Sequence, residues 1–300
     1  MKITTTLFIS CLLFTAQPAM AAMNVFSCEP EWKSLVDELG LDRVNAYSAT
    51  TAFQDPHHIE ARPSLIAKVR RADLVICSGS ELEAGWLPLL LRQAGNANVL
   101  PGKSGNFEAS SFVKRLDIPS KVDRSMGDVH ASGNPHVHLD PRRIATIAKA
   151  LSQRLINIDP EGRQHYIENY NRFSSRWSAA MQIWQQQAKP LNGIGIVVHH
   201  KDWVYMFDWL NIKLIGALEP KPGLPTTVGH IVELKNRLKE TPAKMVVHTQ
   251  YQNARVAKRF AQMASIPVVE LPYTVGGDAH AKDLFGLFDI TIKILLGALK

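Results

Sequence analysis

Beyond its first twenty residues the chain has no apolar run near the ~18 residues that a membrane-spanning helix requires, so its body is expected to be soluble. The net charge is +7, but the cations are scattered as pairs such as Arg70-Arg71, Arg142-Arg143 and Lys258-Arg259. No basic run interleaves with aromatic residues, which excludes the usual footprint of a nucleic-acid binder. Short repeats and low-complexity tracts are absent, and no His-Glu-x-x-His helix marks a common zinc hydrolase. Cysteine is scarce, with three in 300 residues.

The first of these, Cys11, falls in a stretch that reads as an export leader. Lys2 opens it, an apolar segment covers 7–15, and Ala19-Met20-Ala21 supplies the small-x-small cleavage pattern. Cleavage is expected after Ala21. Cys11 lies inside the apolar segment and follows no lipoprotein-type box, so lipid attachment is not expected. Cys28 and Cys77 remain, and in an exported chain two cysteines favour a single disulfide over two buried thiols. Both close apolar runs, 25–28 and 74–77, whose ends can meet if they are neighbouring parallel strands.

What is abundant is apolar surface, 46% of residues, arranged as short apolar runs alternating with helical stretches. That is the pattern of βαβ units and an α/β fold. Strands are expected at 24–28, 43–46, 74–78, 97–100, 195–199, 213–217, 245–248 and 267–271. The longest helical stretch, 159–187, repeats Tyr166, Tyr170, Phe173, Trp177, Met181 and Trp184 at three- and four-residue steps. At 1.5 Å per residue it reaches ~40 Å and reads as a rigid connector between two αβ-patterned halves. Segments 104–111 and 120–133 read as mobile loops.

Three histidine clusters stand out: Asp55-Pro56-His57-His58, Asn134-Pro135-His136-Val137-His138, and His199-His200-Lys201-Asp202. A fourth polar segment, Gly276-Gly277-Asp278, follows. Imidazole and carboxylate are ligands that Zn²⁺ accepts, and only a folded chain can gather groups this far apart. Taken singly, each has a plainer reading. A loop histidine such as His57 or His58 often faces solvent, and Asp278 has the setting of a turn aspartate. His136 and His138 share one face if extended, so either can bind or pack. His199 and His200 face opposite ways in a strand, so only one is expected at a metal.

Together with Glu219-Pro220-Lys221-Pro222-Gly223, these segments resemble the zinc- and manganese-binding solute receptors of ABC transporters, most closely the three-histidine, one-aspartate zinc type. The resemblance covers nearly the whole mature chain and keeps the order of its motifs. It implies two α/β lobes with parallel sheets joined by one long rigid helix, with the metal in the cleft between them. The parts would be a leader 1–21, an N-terminal lobe 22–158, a connecting helix 159–189 and a C-terminal lobe 190–300. Carried over by position, the ligands are His57, His136, His200 and Asp278, with Asp283 as the other carboxylate of the last segment. His58, His130 and His138 are candidate secondary contacts. The 120–133 segment departs from the family's long histidine-rich loop, holding only Asp123, Asp128 and His130.

The function so implied is capture of Zn²⁺ in the periplasm by a monomer and delivery to a membrane permease, with a metallochaperone as a further partner and no catalysis. Neutral imidazoles are required, so affinity is expected to fall below pH ~6. The alternatives are a manganese receptor of the same family and an exported zinc hydrolase, for which Glu60 or Glu219 would have to act as the base.

Overall fold

Parallel β-pairing organises both halves of the chain. The computed structural model describes residues 22–121, 127 and 130–299. The expected leader, together with Asp123 and Asp128, lies outside them. In the first half, β1 (Met23–Ser27), β2 (Val44–Ser48), β3 (Leu74–Cys77) and β4 (Asn106–Glu108) form a sheet in the order β2-β1-β3-β4. In the second, β5 (Gly195–Val198), β6 (Lys213–Ala217), β7 (Met245–His248) and β8 (Val268–Glu270) repeat it as β6-β5-β7-β8. All the pairings are parallel. The central strands β3, β5 and β7 are buried throughout and the edge strand β2 is half-exposed, as expected of sheets covered on both faces.

Alternation along each strand divides its side chains between two cores. In the first sheet Phe26, Val75 and Cys77 face an outer core closed by α2 (Pro63–Arg70) and α3 (Leu87–Ala94). In the second, Val197 and Val246 face another, closed by α7 (Val228–Glu240) and α8 (Ala254–Ala264). The opposite faces, with Val25, Leu74, Ile76, Ile196, Val198, Met245 and Val247, share one continuous core. Helices α1 (Pro30–Gly40), α4 (Pro141–Ile158), α5 (Arg163–Gln187), α6 (Val204–Leu210) and α9 (Leu284–Gly297) contribute to it.

The long aromatic-striped helix is α5, 25 residues and so about 37 Å. It begins four residues later than its pattern suggests, because Asp159 and Pro160–Gly162 form a separate 3₁₀ turn with the Asp159 carboxylate capping Gly162 N–H. The indole of Trp177 donates to Pro141 O at the start of α4, and that of Trp184 to Asp289 of α9. One helix is thereby fastened to elements from both halves of the chain.

The strand expected at 97–100 is instead a 3₁₀ turn at Ala97–Val99, capped by the Asn96 side chain. The strand lies in the segment read as a loop. Asn106–Glu108 pairs with β3, and Phe107 alone is buried there. Three residues with one apolar side chain give no period to recognise.

Cys28 and Cys77 are joined as a disulfide. They follow or end the paired strands β1 and β3, where Cys28 N–H also donates to Ile76 O. The cross-link spans 49 residues, for which chain entropy gives roughly 4 kcal/mol at best. Cys28→Ser is expected to lower the thermal midpoint by about 5–10 °C, read by calorimetry. An unchanged midpoint would show that the bridge adds nothing to the paired strands.

Candidate metal centre

In open parallel sheets, ligands gather at the carboxyl ends of strands. Every segment of the centre arrives that way: His57 after β2, His136 after β4, His200 after β5, Glu219 after β6, Tyr251 after β7 and Tyr273 after β8. The ligand atoms of His57, His136 and His200 lie within 4.8 Å of one another. Their rings form a nearly even triangle, with centroids 5.8, 5.7 and 5.7 Å apart.

Each ring is held by its Nδ1. His57 Nδ1 is 2.7 Å from Asp55 Oδ1, which also accepts the His57 N–H and closes a tight turn. Pro56 fixes that turn from outside, its carbonyl accepting the indole N–H of Trp86. His136 Nδ1 lies 2.8 Å from the Tyr273 hydroxyl. Its backbone N–H donates to Asn134 Oδ1, and Asn134 in turn donates to Lys201 O beside the third histidine. His200 Nδ1 is 2.8 Å from Glu219 Oε2, and the same oxygen accepts Gly223 N–H. That bond curls the Glu219–Gly223 segment back on itself, with Gly223 in the left-handed region at φ 72°.

With Nδ1 held, Nε2 is the nitrogen left to a metal in each ring, the arrangement that metal-binding histidines adopt, and His57 Nε2 also lies 3.3 Å from His130 Nε2. His136 Nε2 is fully buried and has no hydrogen-bond partner, with Asp202 Oδ1 nearest at 3.7 Å. A buried, unpaired nitrogen is costly unless something binds it. Asp202 is itself fully buried and receives bonds from Tyr251 and Gln252. Burial holds the His136 imidazole well below its ordinary range, with His200 and His57 adding to the effect. Burial acts the same way on His200, but the Asp202 carboxylate and the Glu219 bond outweigh it and bring that ring up to about 9.

Other sequence candidates fall elsewhere. Asp278 does not join the three histidines: its Oδ1 accepts His280 N–H and its carbonyl accepts Ala281 N–H, closing its own turn. Asp283 caps α9 through Gly286 N–H. His138 lies outside the group of three, and its Nδ1 is buried without a hydrogen-bond partner. Nε2 is 3.0 Å from Tyr273 O, and Nδ1 is 3.2 Å from Glu31 Oε1. His58 borders the same cavity as His57, ring centroids 6.2 Å apart, outside the group of three. His199 lies beyond it too, its Nε2 3.8 Å from Glu219. His130 lies beside His57, the two rings stacked at 5.3 Å. Tyr273, which holds His136, had no signal as a site residue in the sequence, and Asp202 stood in the third cluster without a role of its own. Glu219 did stand in a quoted motif, but cast as a hydrolase base.

Relatives share this fold. Among solved structures, the crystal structure of ZnuA superposes with a TM-score of 0.77 at 19% identity, covering 93% of this chain and 100% of that one. A Mn-bound periplasmic metal-binding protein from Candidatus Liberibacter asiaticus gives 0.75 at 15% identity, covering 92% and 99%. In sequence, a metal ABC transporter substrate-binding lipoprotein of Lactococcus lactis is 25% identical over 269 residues, 87% of this chain and 82% of the relative. The manganese ABC transporter lipoprotein PsaA of Streptococcus pneumoniae is 23% identical over 247 residues, 81% and 76%. The high-affinity zinc uptake protein ZnuA of Yersinia pestis is 24% identical over 203 residues, 64% of each chain. The family model described as "ZnuA: Zinc-uptake complex component A periplasmic" matches residues 25–296, and the chain belongs to that family of metal-binding receptors of ABC transporters.

Proposed function

We propose that the protein captures a zinc ion between its two sheets and delivers it to an ABC-type membrane permease. The observation that carries this reading is the convergence of a ligand nitrogen from each of three histidines, whose Nδ1 atoms are already held by other groups. In this reading His57, His136 and His200 are ligands and Asp278 is the fourth. Asp278 would come in by rearrangement of the 274–283 segment about Gly276 and Gly277. Gly276 stands at φ 87°, and an added Cβ would meet nothing within 4 Å. Four protein ligands leave no position for an activated water, which suits capture and release. Glu219, the base that a hydrolase would need, is engaged with His200 and Gly223.

We assign residues 22–158 and 190–300 to the two lobes and 159–189 to the helix between them. The leader 1–21 would be removed on export to the periplasm, where the mature chain acts as a monomer. Relatives named for manganese keep a manganese receptor as the second reading. Against it, Mn²⁺ sites lean to oxygen ligands, whereas three of four donors here are imidazole nitrogens. Titration of metal-free protein, followed by competition, tests both. One tight Zn²⁺ per chain is expected, outcompeting Mn²⁺. A second equally tight site, or a preference for Mn²⁺, would overturn the assignment.

A further inference from the structure

The segment that carries Tyr273 leaves its sheet before it reaches the metal centre. β8 ends at Glu270, and Leu271 N–H bonds to His248 O at the end of β7. Beyond that, side chains from the first half of the molecule take hold. The Thr274 hydroxyl donates to Glu31 Oε2 on α1. At the far end of the same segment, Leu284 N–H donates to Ser34 Oγ at 3.3 Å. Glu31 and Ser34 are three apart on α1 and so neighbours on its surface. Both ends of the segment 274–284 are thus docked on one turn of one helix. Tyr273 is fixed where the docking begins. His138 Nε2 is 3.0 Å from its carbonyl, and its hydroxyl is 2.8 Å from His136 Nδ1. Its ring stands edge-on to both histidines, with centroids 5.0 and 5.6 Å away.

Glu31 is fully buried, and a buried carboxylate is costly unless it is bonded or paired. It stands in the first turn of α1, where a helix N-terminus favours negative charge. Its Oε2 takes the hydroxyl of a residue 243 positions away. Its Oε1 has no hydrogen-bond partner, and His138 Nδ1 lies 3.2 Å from it. The hydrogen bond that Glu31 makes therefore fixes the residue next to Tyr273.

We infer that Glu31 is a positioning residue for the metal centre: by docking Thr274 on α1 it holds the Tyr273 hydroxyl against His136. This rests on the zinc-capture reading, in which His136 is a ligand. Zinc on Nε2 requires the His136 proton on Nδ1, and the Tyr273 hydroxyl is the acceptor placed to receive it. When Thr274 leaves Glu31, that hydroxyl is no longer held, and the ring is free to turn or to take its other tautomer. The docking also joins the two sheets, since Glu31 follows β1 and Tyr273 follows β8. Parting of the two halves thereby loosens His136 as it happens, which suits release of the ion.

The test is competition titration with Zn²⁺, alongside the thermal midpoint of each metal-free protein. Thr274→Val keeps the shape of the side chain and removes the donor. It and Glu31→Ala should each weaken zinc binding by about tenfold, the scale of losing a group that supports a ligand. Glu31→Gln should stay within about threefold of wild type, because an amide oxygen still accepts the Thr274 hydroxyl. Tyr273→Phe keeps the ring, lacks the hydroxyl and should bind about tenfold more weakly. In Tyr273→Phe protein, Glu31→Ala should cost no further affinity, because its effect runs through that hydroxyl. If Glu31→Ala does not fold, Thr274→Val takes its place in the same cycle. An independent further loss in Tyr273→Phe protein, or unchanged affinity of Thr274→Val with only a lower midpoint, would overturn the inference. Failure of the underlying reading shows separately: tight zinc binding that survives His136→Ala would remove His136 as a ligand and overturn both.

Discussion

Alanine at His136 is expected to remove tight zinc binding while the metal-free protein stays folded. His136 supplies the most deeply placed nitrogen of the group, fully buried and without a protein partner on Nε2. Its loss leaves two of the three converging imidazoles. The drop should exceed the ~10–100-fold typical of losing a group that merely supports a ligand. His57→Ala and His200→Ala are expected to do the same. The neighbours form the contrast. His58→Ala and His199→Ala should leave affinity within that ~10–100-fold range or better. His138→Ala should cost stability more than affinity, because it breaks the bond to Tyr273 O and removes the ring that packs 3.2 Å from Glu31 Oε1. Isothermal titration of each variant, with circular dichroism of the metal-free form, separates these outcomes. If His58→Ala abolishes binding and His57→Ala does not, the first motif has been read one residue out of register.

The three clusters were legible in the sequence because few residue types bind zinc, and because each cluster lies where an α/β strand delivers its following loop. Periodicity could not choose between adjacent histidines. That choice comes from the partner of each ring: Asp55, two residues away, for His57, and the more remote Glu219 for His200 and Tyr273 for His136. Tyr273 lies 137 residues from its histidine, and nothing local marks it. The same limit explains His138. Its two-residue spacing from His136 suggests a shared face, but the segment turns into 3₁₀ helix at Val137–Leu139 and sends the ring toward Glu31. Long elements read well, as α5 did from its aromatic stripe, because many residues vote on one face. The three residues of β4 did not, since pairing with β3 defines that strand and no pattern of its own does.

Zinc affinity is expected to change with pH well above the point at which an ordinary histidine stops titrating. A reference imidazole near 6.5 would confine competition by protons to below pH ~6. His200 is carried up to about 9 by Asp202 and Glu219 against the pull of burial. Metal-free protein at pH 7.5 therefore holds His200 protonated, and zinc must displace that proton to use its nitrogen. Between pH ~9 and ~7 the apparent affinity should fall about tenfold per unit, with about one proton released per zinc. Titrations in buffers of different ionisation enthalpy measure that proton directly. Constant affinity from pH 8.5 to 7 with no proton release would show that His200 is already neutral. Glu219→Gln removes one of the three carboxylates that raise it, with Asp202 and Asp55, and should flatten the slope at once. Stability of the metal-free protein carries the matching sign. A folded-state value raised above 6.5 stabilises fully below pH 6.5 and is lost as pH rises through about 9. Below pH 6.5 the depressed His136 and His130 act oppositely, since folding keeps them neutral while the unfolded chain takes up protons. The metal-free protein should thus be most stable near pH 6.5, and bound zinc should move that optimum upward by removing the proton on which His200 depends.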